Sequence, residues 1–281
     1  MRFVFRKLGF ALSFALIFSA FAYDALARGE IENLGSSAFP GLNLGSEALR
    51  DDEIRAKAFE ELRKGNWAGA KELFEKVLAS SADDVLSLYG NSVATFNLRD
   101  IKTAQTTVEK AIKLLSASGE NSRLLADCYV LAAVIFANQK DNERAIETLS
   151  KAIRLHPDHY DANISLARAY FGNSDLENAA LFFRKAVTLR PTDLRARFFL
   201  ATTQERLGNS KKALKEYREI LRLDQNSLQG NLGLGVLLLK EDGSTSAEGI
   251  EALEKVIAVR SDVYEARITL GKTYVRLKKY E

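Results

Sequence analysis

The sequence predicts an all-α chain, a solenoid of antiparallel helix pairs with six full repeats and one half repeat. Three observations predict it. Apolar residues recur at spacings of three and four, the period of one helix face. From Asp51 onward the pattern returns every 34 residues, with short polar turns between helices. The 281 residues hold only three prolines, Pro40, Pro157 and Pro191, which leaves room for long uninterrupted helices. The clearest unit is 160–193, YDANISLARAYFGNSDLENAALFFRKAVTLRPTD. Leu166, Ala167 and Tyr170 mark one helix, and Ala179, Phe183, Ala186 and Val187 the next. Pro191 closes the unit, since proline cannot continue a helix interior. One such pair cannot bury its own apolar face, so it needs copies on either side.

Taken in order, residues 1–27 read as a secretory signal peptide. MRFVFRK is a basic opening, Leu8–Ala22 is an uncharged apolar run of 15 residues, and Ala25-Leu26-Ala27 is a small-x-small cleavage site. Ala20-Phe21-Ala22 is a second such site, so the mature chain is expected to begin at Arg28 or Tyr23. The run is shorter than the ~20 residues of a spanning helix, so no membrane insertion is expected after cleavage. Residues 28–50 read as a flexible linker, with Gly29, Gly35, Pro40, Gly41 and Gly45 and no helical period until Ser46 and Glu47. The repeats then follow. Residues 51–84 carry Gly65, Trp67, Ala70, Phe74 and Val77; residues 85–118 carry Ile101, Ala104, Val108 and Ala111. Gly119–Leu125 is an insertion of seven, a longer loop or an extra helical turn. Residues 126–159 return to register with Ala133, Phe136, Ala145, Leu149, Ala152 and Pro157. After 160–193 come 194–227, with Leu200, Ala201, Gly208, Ala213, Tyr217 and Ile220. Residues 228–263 follow, with Leu234, Gly235, Leu238, Leu253 and Val256, and two extra residues in the inner turn. Residues 264–281 are half a unit, with Leu270, Gly271, Tyr274 and Tyr280.

Composition narrows the function. The formal charge is +3, but a cleaved leader removes three basic residues and Asp24 from totals of 40 and 37, leaving 37 basic against 36 acidic. A chain so nearly neutral lacks the basic surplus that nucleic-acid binding needs, so no nucleic-acid partner is expected. A lone cysteine, Cys128, excludes an intrachain disulfide. It lies where neighbouring units carry Ala162, Ala196 and Ala266, so it reads as a packed thiol and not a nucleophile. His156 and His159 flank Pro157 and read as helix-end residues and not half a metal site. Gly230, Gly233 and Gly235 lie inside a helical pattern and follow no strand, so they fail the structural test of a phosphate loop. No catalytic set emerges, and no enzyme activity, metal or cofactor is expected.

Over 51–281 the chain resembles the tetratricopeptide repeat family, whose pattern is a bulky residue, Leu, Gly/Ala and Tyr, then Ala, Phe/Tyr, Ala and Pro at fixed offsets. Leu270, Gly271 and Tyr274 match its first helix, and Ala179, Phe183, Ala186 and Pro191 its second. Asn163 and Arg197 depart from the bulky position, and Gln225 and Ser261 from the proline. The resemblance implies a right-handed superhelix whose first helices line a concave face. On that face it places Tyr89, Val93 and Phe96, then Val134, then Ile164, Arg168 and Phe171, then Phe198, Glu205 and Arg206. About half of this row is expected to pack between helices, and the rest to form a groove for a peptide or helix. The family's Lys/Asn clamp for a C-terminal carboxylate is missing, because its places hold Arg55, Phe59, Tyr89 and Val93.

The reading is an exported scaffold that binds a protein or peptide partner of the cell envelope, periplasmic or secreted. The alternatives are a targeting region of a longer enzyme with its catalytic domain past residue 281, or a periplasmic chaperone. Ala179 and Gly271 are expected to be close-packed and intolerant of bulk. Leu270, Gly271 and Tyr274 are expected to lie uncovered, which implies either a longer chain or self-association through the C-terminal edge.

Overall fold

The computed structural model describes residues 46–119, 121–241 and 246–277. The expected leader and residues 28–45 lie outside the described residues, as does the inner turn at 242–245. Among the described residues there are thirteen helices and no strand. The expected all-α solenoid of repeated helix pairs is therefore observed. The chain divides into two compact units, 1–162 and 163–281.

The first unit holds α1 (Ser46–Arg63), α2 (Trp67–Ser80), α3 (Val85–Asn97), α4 (Ile101–Ser118), α5 (Ser122–Asn138) and α6 (Asn142–Leu155). From α1 to α6 every helix packs on its neighbour in sequence. Helix α1 opens at Ser46, inside the segment read as linker. The seven inserted residues lengthen two helices: α4 and α5 run 18 and 17 residues, against 14 and 13 for the second and first helices of later pairs. Gly119 at φ +67° caps the end of α4, and Asn121 at φ +48° caps the start of α5.

Helix α7 (Tyr160–Gly172) spans the boundary between units. The second unit continues with α8 (Leu176–Leu189), α9 (Leu194–Arg206), α10 (Ser210–Leu223), α11 (Leu228–Glu241), α12 (Ala247–Val259) and α13 (Tyr264–Arg276). From α8 to α13 every helix packs on its neighbour in sequence, and α11 also touches α9 and α13.

Two local devices recur. Within the first five pairs the first helix is followed by a residue of positive φ: Gly65, Arg99, Lys140, Ser174 and Gly208, at +63° to +76°. That residue's N–H donates to the carbonyl three back, and the next residue's N–H to the carbonyl five back, as in Lys140 to Ala137 and Asp141 to Phe136. The residue receiving the chain is then Asn or Asp, and in four of the five turns, at Asn66, Asp100, Asp141 and Asp175, its side chain caps the second helix. Asp100, Asp141 and Asp175 accept from Thr103, Arg144 and Asn178 at 3.1–3.2 Å. The short polar turns between helices are thus one motif written five times.

The second device is a small–large–small or small–large–branched seam on each second helix. Ala70, Phe74 and Val77 begin the series, and Ala104, Val108 and Ala111, then Ala145, Leu149 and Ala152 continue it. Ala179, Phe183 and Ala186, then Ala213, Tyr217 and Ile220 follow in the second unit. All of these are 0–2% exposed. Phe74, Phe183 and Tyr217 point at the first helix of the following pair. A Cβ added to Gly90 would lie 2.2 Å from the Phe74 ring, and one added to Gly233 would lie 2.3 Å from the Tyr217 ring. At the same register Phe199 stacks on Phe183, with centroids 5.4 Å apart and planes at 7°. These contacts are close enough that a side-chain change at either partner is felt.

Candidate functional site

The residues expected to line a concave face belong partly to one unit and partly to the other. In the first unit, Val93 is 1% exposed and packs within the helix pair layer. Tyr89 and Phe96 are 8% and 7% exposed, and Val134 is half-buried. Burial pushes the Tyr89 phenol pKa up, and the negative charge of Asp127 and Asp161 adds to it. Tyr89 is therefore a neutral hydrogen-bonding group at physiological pH.

In the second unit Ile164 is fully buried and belongs to the packing. Phe171 and Arg168 are 8% and 6% exposed, Phe198 and Glu205 are half-buried, and Arg206 is exposed. The positions are linked. The Arg206 guanidinium lies 4.5 Å above the Phe171 ring, and its Nη2 donates to Ser174 Oγ at 3.4 Å. Arg168 sits 5.6 Å over the Phe199 ring. Burial, together with the charge of Arg195, lowers its pKa to about 10. The Tyr217 hydroxyl donates to Glu205 Oε2 at 3.2 Å, so Glu205 is held by the second helix of its own pair. Phe198 closes this face, 5.9 Å from Phe199 and 6.5 Å from Tyr217 by centroid. The set combines flat aromatic area with a cation oriented by stacking, chemistry that suits a peptide chain with an acidic or polar feature.

Phe199 was missed in the sequence, although it is the hub of these rings. It adjoins Phe198 and occupies the register of Gly90 and Gly233, where a bulky aromatic is the exception. That contrast was the available signal.

The remaining candidates resolve into structure. His159 accepts the Ala162 N–H on Nδ1 at 3.2 Å and, with its proton thereby on Nε2, donates to Asp127 Oδ1 at 2.8 Å. His156 turns elsewhere, to Ser122 Oγ at 3.0 Å. No group of three metal-ligating side chains occurs among the described residues. Cys128 is fully buried, and burial raises its thiol pKa further from reactivity. Gly230, Gly233 and Gly235 are packing notches: a Cβ on each would come within 2.9 Å of Ile220 and Leu221, Tyr217, or Leu253. At the clamp positions, Arg55 pairs with Asp84 at 2.8 Å and Phe59 packs edge-on against Phe74 at 5.0 Å.

A tetratricopeptide repeat model matches residues 130–193, and a second matches 194–227. These are tetratricopeptide repeats. Among curated proteins, a TPR repeat-containing protein of Methanocaldococcus jannaschii is 28% identical over 137 residues, which is 46% of this chain and 23% of that protein. Anaphase-promoting complex subunit 3 of Schizosaccharomyces pombe is 23% identical over 171 residues, 60% of this chain and 25% of that protein. The chain thus spans about a quarter of the length of these two relatives. Two solved structures share the fold. YrrB, described as a TPR protein with an unusual peptide-binding site, has a TM-score of 0.58 at 19% identity, covering 69% of this chain and 96% of its own. The pilF protein of Pseudomonas aeruginosa has a TM-score of 0.66 at 18% identity, covering 81% and 100%.

Proposed function

We propose that this chain is a non-catalytic scaffold, exported from the cytoplasm, that binds a peptide or helix of an envelope protein. The observation that carries the binding mode is Arg206 stacked at 4.5 Å on Phe171 beside half-buried Phe198. A surface arginine so held loses little freedom on meeting a partner's carboxylate, and the rings beside it supply apolar area. The TPR fold supports a binding role, because such repeats bury their apolar seams against each other and leave first-helix side chains for partners. YrrB, similar in fold, is described as having a peptide-binding site. The leader-like residues 1–27 support export, and the near balance of 37 basic and 36 acidic residues after their removal supports a protein partner over a nucleic acid.

The test is affinity purification of the tagged chain from its own envelope fraction, comparing wild type with Phe198→Ala and Arg206→Ala. Both variants should keep their helical circular dichroism and lose the specific partner by about tenfold. A partner retained equally by both would move the site elsewhere. N-terminal sequencing of the purified chain should begin at Arg28 or Tyr23, and an intact Met1 would contradict export with cleavage.

A further inference from the structure

Two rows of side chains cross the second unit at the step of the repeat. Phe198 on α9 and Leu232 on α11 form one row, 34 residues apart, and Arg206 and Lys240 form the other. The apolar pair is half-buried and the cationic pair exposed. Helix α9 is packed by α10, and α11 by α12, α9 and α13, so both rows stand on first helices whose pairs are complete. The Arg206 guanidinium leans over Phe171, on the first helix of the preceding repeat, which gives the direction the cationic row takes. Glu205 stands to Lys240 as Phe171 stands to Arg206, and it is already engaged by the Tyr217 hydroxyl. Lys240 has no ion pair among the described residues. Asn97, Asn138 and Gly172 hold this register in the three preceding repeats, so the cationic row begins at Arg206.

Helix α13 keeps the register, and it corrects two sequence expectations. Leu270, expected to lie uncovered, is 4% exposed and packs with Leu253 and Val256, much as Leu200 and Leu234 are 3% exposed in their own repeats. The Tyr274 hydroxyl, expected in the open as well, reaches Glu254. Gly271 is not close-packed, since a Cβ built there would meet nothing within 4 Å. Ile268 and Arg276 take the third step of the two rows.

The step selects the conformation of what lies across it. Packed helices stand about 8–10 Å apart. A polyproline II chain repeats its side-chain directions every three residues, a rise of about 9 Å. A β-strand covers the same distance in about three residues but turns successive side chains to opposite faces, so it falls out of phase. An α-helix would need about seven residues, and its apolar face would press on Glu205, which lies between Phe198 and Arg206 on α9. Covering that carboxylate with apolar surface is costly. A polyproline II backbone has no internal hydrogen bonds, so its N–H groups are free to donate to Glu205.

We propose that the partner segment is an acidic polyproline II peptide lying across α9 and α11. A carboxylate recurs every third residue to meet Arg206 and then Lys240, and an apolar side chain recurs at the same period to meet Phe198 and then Leu232. This rests on the Phe198–Arg206 reading and adds Leu232, Lys240 and the spacing to it.

The probe is a labelled peptide of five Glu-Leu-Pro triplets, and the control is a shuffle of the same composition with irregular glutamate spacing. Fluorescence anisotropy with the full chain should show saturable binding of the triplet peptide, about tenfold tighter than the shuffle. Lys240→Ala, at an exposed position, should bring the triplet peptide down to the affinity of the shuffle and leave the shuffle unchanged. Arg206→Ala should weaken both. Equal affinities for the two peptides, each lost with Arg206→Ala, would overturn the spacing and leave the site standing. Binding untouched by both Arg206→Ala and Phe198→Ala would overturn the site and the spacing with it. No saturation up to ~1 mM triplet peptide, or tighter binding of a stapled helix with glutamates seven apart, would also overturn the proposal.

Discussion

Replacing Asn91 by leucine should stabilise the protein. Asn91 is 2% exposed in α3, and its Nδ2 has no hydrogen-bond partner. Ser87 Oγ, one turn earlier and fully buried, is also unpartnered. The next repeat places Ala132 at the register of Asn91, and the four after it place Leu166, Leu200, Leu234 and Leu270 there, each 2–4% exposed. Asparagine and leucine both branch at Cγ, so two methyls can take the places of the amide atoms. An unsatisfied buried amide costs about 1–3 kcal/mol. A buried leucine contributes about 1.5–3 kcal/mol in its place. Imperfect fit in a site shaped for a polar group opposes this by about 1–3 kcal/mol. The balance is a gain of about 1–2 kcal/mol. The Thr95 hydroxyl bonds the Asn91 carbonyl and not its side chain, so that contact survives. With a urea slope of about 2 kcal/mol per molar, the midpoint should rise by about 0.5–1 M. Hydrogen exchange of the α3 amides should slow in parallel. A midpoint that falls by the same amount with an unchanged slope would show that Asn91 is solvated or bonded in solution, and that its register differs from Leu166.

Gly233→Leu should cost about 2–4 kcal/mol, since its Cβ would meet the Tyr217 ring at 2.3 Å, while Gly271→Leu should stay within about 0.5 kcal/mol of wild type. Urea midpoints of the two variants check this, and equal shifts would contradict the packing register. Lys140→Gly should stabilise by about 0.5–1 kcal/mol because the native φ of +66° suits glycine. Asp141→Ala should cost about 1 kcal/mol by freeing the Arg144 N–H it caps at 3.1 Å. Thermal midpoints of the pair should move in opposite directions. Arg218 holds the Glu248 carboxyl below its usual range through bonds of 3.0 and 2.8 Å. Its contribution is therefore complete above the unfolded carboxylate range and fades as pH falls through the depressed folded value. With both side chains about half exposed, a double-mutant cycle should return no more than about 0.5 kcal/mol at pH 7 and nothing at pH 2.

The repeat architecture was legible because each helix is specified locally. Ala179, Phe183 and Ala186 announce a buried seam at helical spacing, and Pro191 announces the end of its unit. The positive φ of Arg99, Lys140 and Ser174 was not legible, because none is glycine and the turn is imposed by the two helices it joins. The candidate site was half legible. Periodicity put Val93 and Ile164 on the right helix, but it cannot separate a side chain that lines a face from one wedged behind it. Burial does separate them. Gly271 shows the same limit from the other side. Its register matches Gly235 and Ala201, yet close packing is a property of the covering helix, and beside α13 none lies among the described residues.

The binding role is tested most directly by placing a photo-crosslinking amino acid at Phe198 or at Arg206 in the full chain in its native cell. The control position is Leu181, 54% exposed on the second helix α8. The account predicts a discrete protein adduct from positions 198 and 206 upon irradiation and none from 181. An adduct from 181 alone, or no protein adduct from 198 or 206, would contradict it.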